Sequence, residues 1–166
     1  MHIFLVGMAG GGKTTLGKRL AERLRRPFVD TDQQIIKQMK MSAGDIYRKF
    51  GEEFYRNQEM GILIALIGKT PCVVSTGCDL PTVKENVSLM KNHGIIVHIN
   101  RPIDQILSDI KLSKRPMLAD ASREEVIATY NNHIGFYKSC ADLTLDNSTS
   151  PMAGAAALYQ LVQPYL

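Results

Sequence analysis

The chain has 166 residues, 45% hydrophobic and 22% charged, with 13 Gly and 7 Pro. Those proportions fit one globular domain with a single core and exclude disordered and collagen-like chains. An apolar stretch such as residues 62–67 is far short of a membrane span, and the first six residues carry no charged leader or small-residue cleavage site, so a soluble, cytoplasmic protein is expected.

The formal net charge of +4 is compatible with nucleic acid, a membrane surface or a small anion as partner. Much of the excess (Lys18, Arg19, Arg23, Arg25 and Arg26) falls on one predicted helix and reads as a solvated face. No aromatic–basic interleaving marks a nucleic-acid surface, so neither nucleic acid nor membrane is expected as a partner. Cys72, Cys78 and Cys140 lack metal-ligand spacing and read as reduced thiols, mostly core filler.

In chain order, residues 2–6 are a short apolar run ending before Gly7, a buried strand. From Lys13 onward, Leu16, Leu20 and Leu24 recur every four residues, the apolar stripe of a helix. Residues 27–30 predict a second strand, followed by a helix through Ile35, Ile36 and Met39. Ser42, with Asp45 three residues on, predicts a cap for a helix that runs to Phe50 and stops at Gly51; a longer helix then runs over residues 52–67 and ends at Gly68. Residues 72–76 predict a third strand, 81–90 a helix, 95–99 a fourth strand and 103–110 a helix, while 111–121 form a polar loop interrupted by Pro116. Ser122 and Glu125 make a capping box for a helix with Val126, Tyr130, Ile134 and Tyr137 on one side. Residues 141–145 predict a fifth strand and Pro151 starts the last helix. Five short buried strands between helices predict an α/β domain whose parallel sheet is covered on both faces and binds ligands at the carboxyl ends of its strands.

Residues 7–14, Gly-Met-Ala-Gly-Gly-Gly-Lys-Thr, match the phosphate-loop pattern G-x-x-x-x-G-K-[ST] between a predicted strand and a predicted helix. Glycines let the backbone turn several N–H groups toward phosphate oxygens, and the following helix adds the positive end of its dipole. Lys13 brings a mobile charge for the terminal phosphates and the Thr14 hydroxyl is placed for Mg²⁺. ATP or GTP binding is therefore expected. Asp30, Thr31 and Asp32 stand at the end of the second strand, on the ligand side. They are candidates for the site, although Thr31 or Asp32 could equally cap the next helix.

With these residues in view, the chain resembles the shikimate kinase family over nearly its whole length. The likeness rests on the phosphate loop with Gly-Lys-Arg-Leu-Ala at 17–21 behind it, and on Phe-Val-Asp-Thr-Asp at 28–32. It rests also on Gly-Glu-Glu-Phe-Tyr-Arg at 51–56 followed by Glu59, on Ser75, Thr76 and Gly77, on Arg-Pro-Met-Leu at 115–118, and on Tyr137 with Ala141. The resemblance implies a single domain over residues 1–166, with a five-stranded parallel sheet of the nucleoside-monophosphate-kinase type. A helical substrate-binding segment would lie at about 31–60 and a lid loop at about 109–121. It implies in-line transfer of a phosphoryl group from ATP, with Mg²⁺, to the 3-hydroxyl of shikimate in aromatic amino-acid biosynthesis, by a monomer.

Carried over residue by residue, the resemblance assigns Gly10, Gly11, Gly12, Lys13, Thr14 and Thr15 to the nucleotide phosphates. It gives Thr14 to the metal, with Asp30 near it through water. Asp32 would hold ring hydroxyls and accept the proton of the attacking one. Arg56 would fork onto the acceptor carboxylate, unless it is a surface residue paired with Glu52 or Glu59. Gly77, Cys78 and His133 would complete the acceptor site. Arg115 would swing in with the lid, unless it belongs to a solvated basic loop with Lys111 and Lys114. Asn147 to Pro151 would edge the adenine pocket.

Three positions depart from the family. Its glycine triplet is Gly77, Cys78 and Asp79 here, which narrows the approach to backbone N–H groups and places a negative charge near an anionic acceptor. A family arginine is His133, which cannot fork; as a residue three from Tyr130 it could also be a partly buried helix histidine. Ser108 replaces an arginine that stacks on adenine, with Lys111 as the nearest substitute. Two alternatives follow: a relative acting on a different, less anionic hydroxyl compound, or a non-catalytic ATP-binding module.

Overall fold

The computed structural model describes residues 1–110 and 121–166. Five strands, β1 (His2–Val6), β2 (Phe28–Asp30), β3 (Val73–Ser75), β4 (Gly94–Asn100) and β5 (Leu143–Asp146), form one parallel sheet in the order β2-β3-β1-β4-β5. All five residues of β1 are buried, which is why the strand is continuously apolar and lies at the centre. Alternate side chains serve opposite faces: Phe4, Val6, Val74 and Ile96 join one core, and Ile3, Leu5, Val73 and Val97 the other. Chain direction across the sheet reverses at β1, with β3 on one side and β4 on the other. The crevice at its carboxyl end is therefore the natural ligand position.

Helix α1 (Lys13–Leu24) buries Leu16 and Leu20 and turns Lys18, Arg19, Arg23 and Arg25 to solvent, as a solvated basic face requires. After α2 (Thr31–Met39) comes α3 (Ala43–Leu66), capped by Ser42, whose hydroxyl accepts from Asp45 N. Gly51, at φ 83° and ψ 176°, breaks α3 into the two segments that the sequence separates. α5 (Ile103–Asp109) and α6 (Arg123–Cys140) follow β4, and the expected capping box of Ser122 and Glu125 is formed. α7 (Pro151–Val162) closes the chain's second core against β1 and α1, capped by Ser150.

Boundaries differ where one residue breaks the periodicity. Pro81 sits in a short 3₁₀ turn, Leu80–Thr82, and α4 runs over Lys84–His93 in place of residues 81–90. Ala141 ends α6, and the Asp142 carboxylate accepts from Ile96 N at 2.8 Å, so β5 begins two residues late. Cys72 and Cys140 are buried free thiols of the core, while Cys78 stands at the site described next. Of the expected lid, Asp109, Ile110 and Ala121 are described; Lys111 and Arg115 lie outside the described residues. Among the described residues no helix is long and apolar enough to cross a membrane.

The break in α3 depends on a conformation that side-chain-bearing residues rarely adopt, and an added Cβ at Gly51 would meet no atom within 4 Å. Backbone strain alone therefore sets the cost. Gly51→Ala is expected to destabilise the protein by about 1–3 kcal/mol in denaturant unfolding; a midpoint unchanged from the parent would contradict that origin.

Candidate active site

The phosphate loop leaves β1 and enters α1 through Gly12, which has φ 100° and offers no side-chain cap, so the first N–H groups of α1 remain for an anion. Lys13 is buried, and its Nζ donates to Gly7 O at 2.7 Å and Met8 O at 2.9 Å, spanning its own loop. Two side chains that the motif does not contain hold the loop from outside. Arg101 Nη1 donates to Gly10 O at 2.9 Å while its Nη2 pairs with Asp109 at 2.5 Å, and buried Asn147 donates through Nδ2 to Gly11 O at 2.9 Å. Both follow the carboxyl ends of strands, β4 and β5, which is the signal by which the sequence could have marked them.

A cleft of about 330 Å³ lies over this loop. Gly10, Gly12, Lys13, Thr14 and Thr15 line it, and Pro151 stands at its wall. Gly11 is buried within the loop, its N–H donating to Met8 O at 3.0 Å.

The two aspartates at the β2–α2 junction turn opposite ways. Asp30, not Thr31 or Asp32, is the N-cap of α2, accepting from Gln33 N at 3.2 Å. Its other oxygen accepts from Thr14 Oγ1 at 2.7 Å, and Ser75 Oγ lies 3.3 Å from the same hydroxyl. These oxygens suit a hard cation such as Mg²⁺, which takes few protein ligands and keeps its waters. Asp32, in the first turn of α2, accepts from Tyr55 OH at 2.9 Å on the α3 side. Burial and the Asp32 charge hold the Tyr55 phenol far above its ordinary pKa, so it stays a donor. Thr31 is buried and accepts from Gly77 N at 2.9 Å, tying α2 to the end of β3.

Behind Asp32 is a niche of about 20 Å³ lined by Arg56, Glu59, Gly77, Cys78 and Asp79 among others. Asp32 and Cys78 border both the niche and the cleft. Arg56 does pair with Glu52, at 2.5 Å, across one turn of α3, yet the guanidinium is only half exposed. Its Nε is buried and finds no hydrogen-bond partner among the described residues, a donor that an acceptor oxygen would satisfy. Gly77 is required by close approach: an added Cβ would collide with the Glu59 carboxylate and come within 3.0 Å of Asp32 Oδ1. Glu59 is 2% exposed, and burial, with the charges of Asp32 and Asp79 behind it, pushes its pKa well above the usual carboxylate range. In sequence Glu59 is only one letter of a motif, and nothing local marks it as buried.

His133 is a partly buried helix residue, as its spacing from Tyr130 allows, but its ring faces the site and hydrogen-bonds Asp79. Two positions expected to depart from the family are thus partners in space. Tyr137 OH donates to Cys78 O at 2.8 Å and fixes the turn that carries Cys78 and Asp79. Burial pushes the Cys78 thiol above its ordinary pKa, with Asp79 adding to the shift, so Cys78 is a neutral wall and not a nucleophile. Arg115 lies outside the described residues.

The sequence profile of the shikimate kinase family matches residues 9–163. The shikimate kinase of Enterococcus faecalis is 33% identical over 149 residues, covering 88% of this chain and 88% of that protein. Among solved structures, the shikimate kinase from Acinetobacter baumannii in complex with shikimate has a TM-score of 0.91 at 28% identity, over 99% of this chain and 93% of that one. That of Aquifex aeolicus gives 0.85 at 29%, over 99% and 98%.

Glu59 carries a stability prediction. A carboxyl whose pKa is raised by folding weakens the folded state as pH rises from the unfolded value, about 4.3, toward the folded one. Glu59→Gln should therefore raise the melting temperature at pH 7 to 8 and lose that advantage below about pH 4. A gain of equal size at both pH values would contradict the buried-charge account.

Proposed function

Because the chain belongs to the shikimate kinase family, we propose that it catalyses ATP-dependent phosphorylation of shikimate at the 3-hydroxyl, a step of aromatic amino-acid biosynthesis. The observation that carries this reading is the position of Asp32, on the wall shared by the phosphate cleft and the niche of Arg56. A group bound on one side can there meet a phosphoryl group bound on the other. Phosphoryl transfer asks little more of a protein than alignment and neutralisation of charge.

In this mechanism Lys13 exchanges its loop carbonyls for phosphate oxygens, and the N–H groups of the loop receive the rest. Thr14, Asp30 and Ser75 would hold Mg²⁺ directly or through water, and the bound ion supplies neutralisation of the triphosphate. Asp32, steadied by Tyr55, orients the acceptor hydroxyl and takes its proton. As the oxygen–phosphorus bond forms, the bond from the γ-phosphorus to the bridging oxygen breaks and ADP leaves, with no phosphoenzyme. Arg56 receives the acceptor carboxylate. Its pair with Glu52, worth about 0.2–0.5 kcal/mol at an exposed helix position, is readily exchanged for a ligand. Arg115 is assigned by resemblance to the phosphates, and Pro151 to the edge of the adenine pocket. Apart from Arg115, every group used here comes from the described residues of one chain, so the reading is of a monomer acting on small molecules, with the cytoplasm as the proposed compartment.

A coupled ADP-release assay with and without shikimate tests the reading. The expected result is shikimate-dependent release in the parent, loss of nucleotide binding and turnover together in Lys13→Ala, and a fall in kcat of about 10²-fold or more in Asp32→Asn with ATP affinity retained. ADP release indifferent to shikimate would overturn the assignment of the acceptor. A matching loss of ATP affinity in Asp32→Asn would remove its role on the acceptor side.

A further inference from the structure

Asp79 and His133, 54 residues apart, where the resemblance implies a glycine and an arginine, are in contact through His133 Nε2 and Asp79 Oδ1. The other ring nitrogen, Nδ1, lies 2.7 Å from Thr129 O. A carbonyl oxygen can only accept, so Nδ1 carries a hydrogen. The bond between Nε2 and the carboxyl then holds one further proton, and whichever atom carries it, the pair has no net charge. Both side chains are shielded, 14% exposed for His133 and 7% for Asp79. With both nitrogens engaged, the imidazole has no N–H left for a ligand, whereas an arginine would keep several of its five donors.

The charged and titratable groups around the pair come from each neighbouring element. α2 contributes Asp32, α3 contributes Tyr47, Tyr55, Arg56 and Glu59, the turn after β3 contributes Cys78, and α6 contributes Tyr137, its ring 6.1 Å from His133. Arg56 is the cation that lines the niche itself. We infer that Asp79 and His133 form one specificity-determining unit, in which His133 neutralises Asp79 and does not grip the acceptor, leaving the acceptor's carboxylate, among the described residues, to Arg56. The inference rests on the proposed function in taking the acceptor to be a hydroxylated carboxylic acid. The bond to Asp79 is the largest cause holding His133 above its ordinary pKa. Below that raised value the pair is neutral; above it the shared proton is lost and a buried negative charge faces an anionic acceptor.

The test compares shikimate with its uncharged carboxamide in the parent, His133→Asn, Asp79→Asn and the double variant, measuring kcat and KM across pH. In His133→Asn, KM for shikimate should rise by about tenfold or more, since like charges at close quarters are costly, while kcat and the carboxamide's KM stay within about threefold. Adding Asp79→Asn should return KM for shikimate to within about threefold of the parent. In the parent, KM for shikimate should climb more steeply on the alkaline side than in the double variant, where Glu59 still titrates but the Asp79 charge is gone. A loss in His133→Asn that Asp79→Asn does not rescue would show that His133 holds the acceptor directly and would overturn the inference, as would no change in KM.

If the parent turns over neither compound, the proposed function fails. The pair is then read by NMR titration of the His133 ring. Its midpoint should fall by about one unit or more in Asp79→Asn, and an unmoved midpoint would overturn the neutralising role.

Discussion

Four carboxyl groups, Asp30, Asp32, Glu59 and Asp79, crowd the carboxyl ends of β2 and β3 and the facing side of α3, and the crevice can exist only because each is separately compensated. Asp30 accepts from the Thr14 hydroxyl and an N-terminal amide of α2. Asp32 sits in the first turn of the same helix, where the dipole favours a negative charge, and accepts from Tyr55. Glu59 is driven toward its neutral form by burial. Asp79 shares a proton with His133. Left uncompensated, these groups would repel one another in a poorly solvated site and expel any anionic ligand.

The sheet supplies the geometry for this arrangement. β1 delivers the phosphate loop at the point where strand order reverses, and β2 delivers two aspartates within three residues, one turned to the loop and one to α3. On α3, Tyr55 and Glu59 lie four residues apart on one buried face, so the contact with Asp32 and the contact over Gly77 are set by a single helix segment. The kink at Gly51 lets that segment run along the niche independently of the helix before it. The cleft and the niche are thereby placed on opposite sides of Asp32 by elements that are rigid for reasons of core packing.

What could be read in the sequence was local. The phosphate loop encodes its own backbone conformation within eight residues, and the leucine stripe of α1, the caps at Ser42 and Ser122 and the break at Gly51 each depend on neighbours only a few positions away. Resemblance added separate roles for Asp30, Asp32 and Arg56, whereas the residues read alone left the two aspartates open, since strand register and the facing helix decide which way each turns. The pairing of Asp79 with His133 was illegible for the same reason: in sequence they are two separate irregularities, each unfavourable to an anionic acceptor, and only the packing of α6 against the turn after β3 makes them one neutral unit. Arg101 and Asn147 belong to no motif, and their bonds to the loop carbonyls emerge from the positions of β4 and β5. Element ends shifted where Pro81 forms a 3₁₀ turn ahead of α4 and where the Asp142 carboxylate bonds Ile96 N of the neighbouring strand.

The central claim is that a site so rich in carboxyl groups still accepts a carboxylate, because each of those groups is compensated within the protein and Arg56 is left to receive one more. Calorimetric titration of shikimate into protein saturated with magnesium ADP at neutral pH addresses it without depending on turnover. Saturable binding at a single site per chain, abolished by Arg56→Ala, is the predicted result. Absence of binding at millimolar shikimate, with the nucleotide demonstrably bound, would contradict the account.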